Sequence, residues 1–385
     1  MAADAVHQAT VPFNRPFVAP GVADAVARVL RNDHQQGMGP WTERCQRCLQ
    51  DMLGVPRVLL TQSGTAALEM AGLLSRVSAG DEVIMPSFTF VSTANAFVLR
   101  GATPVFVDVR ADTFNLDEAL IEAAITPRTK AICVVHYAGV GCNMDAVTRI
   151  AARHKLLVIE DAAQGIGASW NGKALGAIGD LGVFSFHATK NIGCGEGGAL
   201  IVNNPDLIER AEIIWEKGTN RLQHHQRKVD KYRWLDVGSS FLPSELTAAF
   251  LEAQLGSVDS VTARRRAIWE RYHTAYADLE RRNQLRRPAP PALAHHNGHI
   301  YYLVLPDQAA RDRVLAELRA RGVHASTHYV PLHSAPAGEL YCRAVGDLPM
   351  TVVAADHSLR LPLFADLTDI DVDRVIQEVY AALSA

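Results

Sequence analysis

Four short stretches of this 385-residue chain combine residue types that can do chemistry. In GVFSFHATKNIGCGEGGAL an apolar run ends at Phe186, Lys190 follows, and Gly193, Gly195, Gly197 and Gly198 crowd the backbone beside it. An amine held away from water has a lowered pKa and is free to form a Schiff base; most lysines are solvated charges, and the glycines weaken that plainer reading here. Ser185, just upstream, can reach a phosphate. In KLLVIEDAAQG an apolar run delivers Asp161 to its end, with Gln164 three residues on. A carboxylate so placed can keep a pyridine nitrogen protonated and make the ring an electron sink, or it can simply cap the next helix. In VLLTQSGTAALEM the sequence Ser63-Gly64-Thr65 leads into a helical pattern. Glycine permits close backbone approach and the helix start offers free N–H groups, which together make a phosphate cradle. Neither the Walker lysine nor G-x-G-x-x-G spacing is present, and Ser and Thr also cap helices. In MPSFTFVSTANA, Phe88 and Phe90 lie just past an apolar run, where one can stack on a flat ring or both can be core.

These groups need a scaffold that brings them together. From about residue 55 to 204, short apolar runs alternate with helical patterns. The candidate strands are Val58–Leu60, Val83–Met85, Val105–Val109, Ala131–His136, Leu156–Glu160, Gly182–Phe186 and Ala199–Val202. The intervening helical patterns are Ala66–Leu74, Asp117–Ala124, Asp145–His154 and Pro205–Glu216. Such alternation predicts an α/β fold with a mostly parallel, doubly wound sheet, whose ligands bind at the carboxyl ends of the strands. All four stretches sit at such ends. Beyond residue 205 the pattern changes: a polar and basic stretch, two long helical patterns from Ser244 to about Glu280, a Pro-rich break, then a strand (Ile300–Leu305) and a helix (Gln308–Arg321). The last helix opens with Thr368 and Asp371, close to a capping box. The chain divides on this reading into a large domain, 1–250, and a smaller α/β domain, 251–385.

Composition narrows the class. Hydrophobic residues make up 48% and charged residues 21%, ordinary for a globular enzyme, and the net charge of −3 argues against a general nucleic-acid binder. No apolar run approaches the roughly 20 residues of a membrane helix, and Met1–Thr10 lacks the pattern of a secretory signal. Cytoplasm is the expected compartment. Cys45 and Cys48 form a C-x-x-C pair inside GPWTERCQRCLQDMLG, which reads as an amphipathic helix. No second pair or suitably spaced histidine accompanies them, so the pair reads as helix packing, with no metal site expected.

Taken together, SGTAAL, PSFTFVSTANA, EDAAQG, SFHATKN with GEGGAL, and HYVPLH resemble the DegT/DnrJ/EryC1/StrS sugar aminotransferases over almost the whole chain. The resemblance implies a fold type I enzyme (the aspartate-aminotransferase fold, a seven-stranded sheet in the large domain) that uses pyridoxal 5'-phosphate (PLP). It implies that Lys190 carries the cofactor as a Schiff base and moves the proton, and that Asp161 pairs with the pyridine nitrogen. Gln164 is expected against the ring's phenolic oxygen, Ser63, Gly64, Thr65 and Ser185 on the phosphate, and Phe90 on the ring face. Tyr329 and His333 look like sugar-pocket residues, and His299 occupies a position of less defined role. Relatives that dehydrate sugars carry His in place of the Schiff-base lysine, so Lys190 favours transamination.

Further strings (VPFN, GDEVIMPSFTFVSTANAFVLRGA, LIEAAIT, VHYAGV, AEIIWEKGTNR, PLHSAPAGE) resemble members that aminate C4 of dTDP-4-keto-6-deoxyglucose. The expected reaction is ping-pong transfer from L-glutamate, releasing 2-oxoglutarate, to that nucleotide sugar, with the galacto product favoured over the gluco. Lys217 and Arg221, in a run that also holds Arg227, Lys228, Lys231 and Arg233, are expected on the diphosphate. A homodimer with sites at its interface is implied. Two departures are visible: Ser240, in Gly238-Ser239-Ser240-Phe241, stands where the family commonly has an Asn reaching the neighbouring subunit's cofactor phosphate, and the loop after Lys190 is about one residue short. Amination at C3, or a non-catalytic PLP- or sugar-binding regulator, are the alternatives.

Overall fold

The computed structural model describes residues 10–31 and 34–384; Met1–Ala9, most of the stretch searched for a signal, lie outside the described residues. Its main sheet contains β1 (Arg57–Thr61), β2 (Glu82–Pro86), β3 (Thr103–Val107), β4 (Thr129–Val135), β5 (Leu157–Asp161), β6 (Leu181–Ser185) and β7 (Gly198–Val202). They lie in the order β1-β7-β6-β5-β4-β2-β3. Strands β2 to β6 pair in parallel, while β7 is antiparallel to both of its neighbours, β1 and β6. The expected seven-stranded, mostly parallel sheet is there. An eighth strand of two residues, Arg343–Ala344, adds to the β3 edge from the C-terminal part of the chain. Two residues are too few to show a period in sequence.

The strands read as continuous apolar runs because both faces are covered. Successive side chains alternate between two cores: Leu59, Val83, Phe106, Ala131, Ile159 and Val183 face one, and Val58, Ile84, Val105, Ile132, Val158 and Phe184 the other. Eight helices are relevant here: α1 (Val22–Leu30), α2 (Pro40–Leu53), α3 (Gly64–Leu74), α4 (Val91–Val98), α5 (Met144–His154), α6 (Ile208–Trp215), α7 (Glu245–Leu255) and α8 (Val258–Ala275). Helices α3, α4 and α6 close the first core, and α1, α2, α5 and α7 the second. Helix α4 is absent from the helices expected from sequence, since VSTANAFV is rich in β-branched and small polar residues of low helix propensity. Burial of Ala94, Ala96 and Phe97 holds it in place. The C-x-x-C pair sits on α2, with Cys45 buried, Cys48 partly buried and both thiols free. Gly39 provides α2 with no side-chain cap, so Glu245 does: it accepts from the N–H groups of Trp41 at 2.8 Å and Thr42 at 3.0 Å.

A third core joins Ile268, Trp269 and Tyr272 of α8 to β8 (Tyr302–Val304), β9 (Ser358–Arg360), α9 (Gln308–Ala320) and α10 (Asp369–Ser384). Thr368 accepts the Asp371 N–H at 3.1 Å and donates to its carboxylate at 2.7 Å, which closes the start of α10. Arg343, on the added strand, donates to Glu82 at 3.1 and 3.0 Å. Thr126 and Arg128 donate to the same carboxylate. Burial alone would raise the Glu82 pKa, but the bonds from Arg343, Thr126 and Arg128 prevail and hold it at about 2. A depressed carboxyl contributes stability that is present above its unfolded value and is lost as pH falls through the folded one. Denaturant unfolding at pH 5 and at pH 2.5 should therefore show Glu82→Gln losing less stability on acidification than the wild type; equal losses would mean the cluster does not hold the strand.

Candidate active site

Because β1, β4, β5 and β6 run the same way, their carboxyl ends share one edge of the sheet, and there the predicted groups meet. Strand β5 ends on Asp161, which is buried. One of its carboxylate oxygens accepts from the Thr93 hydroxyl of α4 at 2.7 Å, and the other from the Ala163 N–H at 3.1 Å. Glu160 points to the opposite face, where it accepts from the N–H groups of Gly176, Ile178 and Gly179 and meets His136, so its role is to fix a loop. Gln164 accepts the Ala138 N–H at 2.7 Å and donates its amide N–H to the Tyr329 hydroxyl at 3.2 Å.

The residues expected to hold a phosphate meet at the start of α3. Ser63 caps the helix, accepting from the Ala66 N–H at 3.0 Å. Thr65 hydrogen-bonds Ser92 at 2.7 Å. Gly64 packs so close to the end of β6 that a Cβ there would lie 2.9 Å from the Ser185 Cβ, and a Cβ on Gly198 would lie 2.4 Å from the Ser63 carbonyl oxygen. Glycine at both positions is what lets β7 pass beside the cradle. Phe90, just before α4, is 58% exposed and leaves its ring open, whereas Phe88 is buried edge-on among Phe114, Tyr137 and Tyr329.

Lys190 reaches a cavity of about 200 Å³ whose walls include Phe13, Gln164, His299, Tyr329, Arg265 and Arg360. Burial pushes the Lys190 ammonium down to about 8; nearby Arg360 acts in the same direction and Asp161 opposes both. Burial likewise raises Tyr329 to about 12 and keeps His328, stacked on it at 3.9 Å, neutral at about 2. The His299 ring is fixed as well. Asn191 donates its amide N–H to the Asn297 carbonyl at 3.2 Å, so its oxygen faces His299 Nδ1 at 2.7 Å. The His299 proton therefore sits on Nδ1, Nε2 is left as an acceptor, and burial holds the ring pKa well below its usual value. A second cavity of about 230 Å³, beside α2 and Trp215, contains none of the predicted site residues.

Other predicted residues lie elsewhere in the chain. Lys217 and Arg221 both pair with buried Glu216, at 2.8 and 3.0 Å, and are half exposed. His333 is held by Ser87, 2.8 Å from its Nδ1, outside the walls of the Lys190 cavity. Ser240 is exposed and bridges Glu216 on the backbone. The sequence reading does not contain Thr93, Asn191, Arg265 or Arg360. A visible signal existed for Arg360 alone: one charge inside the apolar run SLRLPLF, where a buried strand has no ordinary use for it.

A buried lysine whose amine is easily deprotonated, a buried carboxylate at a strand end, an open aromatic face and a glycine-lined helix start fit pyridoxal phosphate, and the fold with this site defines a fold type I PLP aminotransferase. Comparison with known proteins agrees. The model of the DegT/DnrJ/EryC1/StrS aminotransferase family matches residues 20–380, and the chain belongs to that family. It is 36% identical over 356 residues to GDP-perosamine synthase of Caulobacter vibrioides, covering 92% of this chain and 93% of that one. Among solved structures, aminotransferase TlmJ from Streptoalloteichus hindustanus superposes with a TM-score of 0.89 at 32% identity, covering 97% of this chain and 99% of that one. DesV of S. venezuelae gives 0.88 at 32% with the same coverage. Spr1654 from Streptococcus pneumoniae, solved in its PLP form, gives 0.89 at 26%, again with that coverage. PLP is the cofactor.

Amine neutrality limits Schiff-base formation, so capture of added PLP by cofactor-free protein should rise with pH through about 8 and level off above it. Borohydride reduction followed by peptide mass spectrometry reads this, with the label on Lys190; a plateau reached only near pH 10 would show a solvated lysine.

Proposed function

We propose that this sugar aminotransferase moves the amino group of L-glutamate onto C4 of dTDP-4-keto-6-deoxyglucose, releasing 2-oxoglutarate and giving a dTDP-4-amino-4,6-dideoxyhexose, the galacto form favoured. The observation that carries the reading is the Lys190 amine, held at about 8 in the same cavity as Gln164 and Tyr329, with Asp161 close enough to act on its charge. Bound PLP supplies an electron sink and a carrier for the nitrogen. Around it, Asp161 would keep the ring nitrogen protonated, itself fixed by Thr93 and the Ala163 N–H. Ser63, Gly64, Thr65 and Ser185 would hold the phosphate, Gln164 the phenolic oxygen, and Phe90 one ring face. Lys190 would be the base that takes the proton from the donor carbon and returns one to the sugar carbon.

Support for C4 comes from the sequence strings shared with C4-aminating members. The relative named as GDP-perosamine synthase favours a second reading, a GDP-linked sugar in place of a dTDP-linked one. Lys217 and Arg221 can meet a diphosphate only in competition with Glu216. Exposed Tyr232, Trp234, Leu235 and Val237, close to Ser240 in sequence, support a homodimer that buries this face and brings Ser240 to the partner's cofactor. No helix among the described residues is long and apolar enough to cross a membrane, and all six cysteines are free. A cytoplasmic setting fits the free thiols.

Incubating the enzyme with L-glutamate and either dTDP-4-keto-6-deoxyglucose or its GDP-linked counterpart, with mass spectrometry of the products, tests the reading. Transfer to the dTDP sugar at least tenfold faster, and none with Lys190→Ala, is the expected result. Preference for the GDP sugar selects the second reading, and transfer to a 3-keto sugar alone overturns both.

A further inference from the structure

We infer that Gln254 is a positioning residue for Lys190, a single amide that clamps the loop following the reactive lysine to the segment that walls its cavity. The inference rests on Lys190 carrying the cofactor and is independent of which sugar is aminated. Gln254 lies near the end of α7 and is fully buried. Its oxygen accepts the Ala19 N–H at 2.7 Å. Its nitrogen donates to the Phe17 carbonyl at 2.7 Å and to the Gly193 carbonyl at 2.7 Å. Two carbonyls and one N–H leave no other orientation of the amide, and both of its hydrogens are used.

Both segments depend on these bonds. Phe13 and Asn14 form part of the wall of the Lys190 cavity. The stretch that carries them, Pro12 to Val18, forms no helix or strand. Its backbone is tied at one end by Val11, which donates to the Gly322 carbonyl at 2.9 Å and accepts the His324 N–H at 3.0 Å. Gln254 ties the other end. Gly193 lies three residues past Lys190, in a loop wound so tightly that a Cβ there would sit 2.8 Å from the His187 carbonyl oxygen. The Lys190 N–H donates to that same carbonyl at 2.9 Å. Gly193 therefore cannot shift toward it without displacing the turn that carries the lysine.

Gln254→Met keeps the bulk of the side chain and supplies none of the three bonds. The Phe17 and Gly193 carbonyls and the Ala19 N–H must then be met by water, where the wall segment joins the lysine loop. Burial is the chief reason the Lys190 amine is easily deprotonated. The titratable groups that face it are Asp161, Arg360, Arg265, His299, His328 and Tyr329. Gln254 is neutral, so its loss leaves each of those charges in place and changes hydration alone.

The test is capture of PLP by cofactor-free protein as a function of pH, read by borohydride reduction and the label on Lys190, with the melting temperature measured in parallel. Wild-type protein should be half-labelled near pH 8. Gln254→Met should move that midpoint up by about one pH unit or more, toward the ordinary lysine value of 10.5. Gln254→Asn, whose amide is a methylene short of its partners, should move it the same way and decides the matter if the Met variant does not fold. Leu251→Ala, in the same helix and buried in the second core, is the comparison: it should lower the melting temperature and leave the midpoint in place. A Gln254 variant that loses stability but keeps the wild-type midpoint is a core brace only and overturns the inference, as does an equal midpoint shift in Leu251→Ala. The assay contains neither sugar nor amino donor, so an error in the proposed sugar leaves its outcome untouched. A wild-type midpoint already near 10.5 would refute the buried amine and this positioning role with it.

Discussion

The site depends on keeping one amine out of water. An ordinary lysine is almost wholly protonated near neutral pH and cannot attack a carbonyl. Lys190 is different because burial disfavours its charged form and Arg360 repels it, while Asp161 alone pulls the other way. The balance leaves a cation that gives up its proton at about 8, well below an ordinary lysine. The same low-dielectric setting keeps the Tyr329 phenol protonated and the His328 and His299 rings neutral, so Lys190 and two guanidiniums are the charges on the cavity wall.

That setting is a product of the sheet. Parallel strands covered on both faces leave their carboxyl ends as the one place where polar groups gather. Strand alternation then assigns neighbouring acids opposite work: Asp161 turns toward Thr93 and the reacting edge, and Glu160 turns away to hold a loop by three N–H groups. Gly64 and Gly198 allow β6, β7 and the start of α3 to approach closely enough to form one cradle. The C-terminal part supplies what the sheet cannot, namely Tyr329 for Gln164 and Arg360 for the cavity wall.

Much of this was legible in the sequence. The seven strands announced themselves as short β-branched runs, and Lys190, Asp161, Gln164 and the Ser63–Thr65 cradle lay at their ends in recognisable strings. What escaped was decided by tertiary contact. Helix α4 has weak local propensity and is held by the core it closes, so Thr93 could not be placed on Asp161 in advance. Asn191 matters through two bonds to residues more than a hundred positions away, which no local pattern contains. The positive charge of Lys217 and Arg221 suggested a diphosphate, but both pair with Glu216, the residue just before Lys217 in the chain. Its charge was visible in the sequence; its burial, which holds both cations to it, was not.

The central claim is that Lys190 carries a cofactor that takes nitrogen from an amino acid before any sugar arrives. The most direct measurement is the absorbance spectrum of the purified, PLP-loaded protein before and after L-glutamate alone is added. The account predicts a yellow band that bleaches on glutamate, with 2-oxoglutarate appearing in equal amount. A yellow band that glutamate leaves unchanged would contradict the donor half of the account, and a protein that takes up no PLP would contradict it from Lys190 outward.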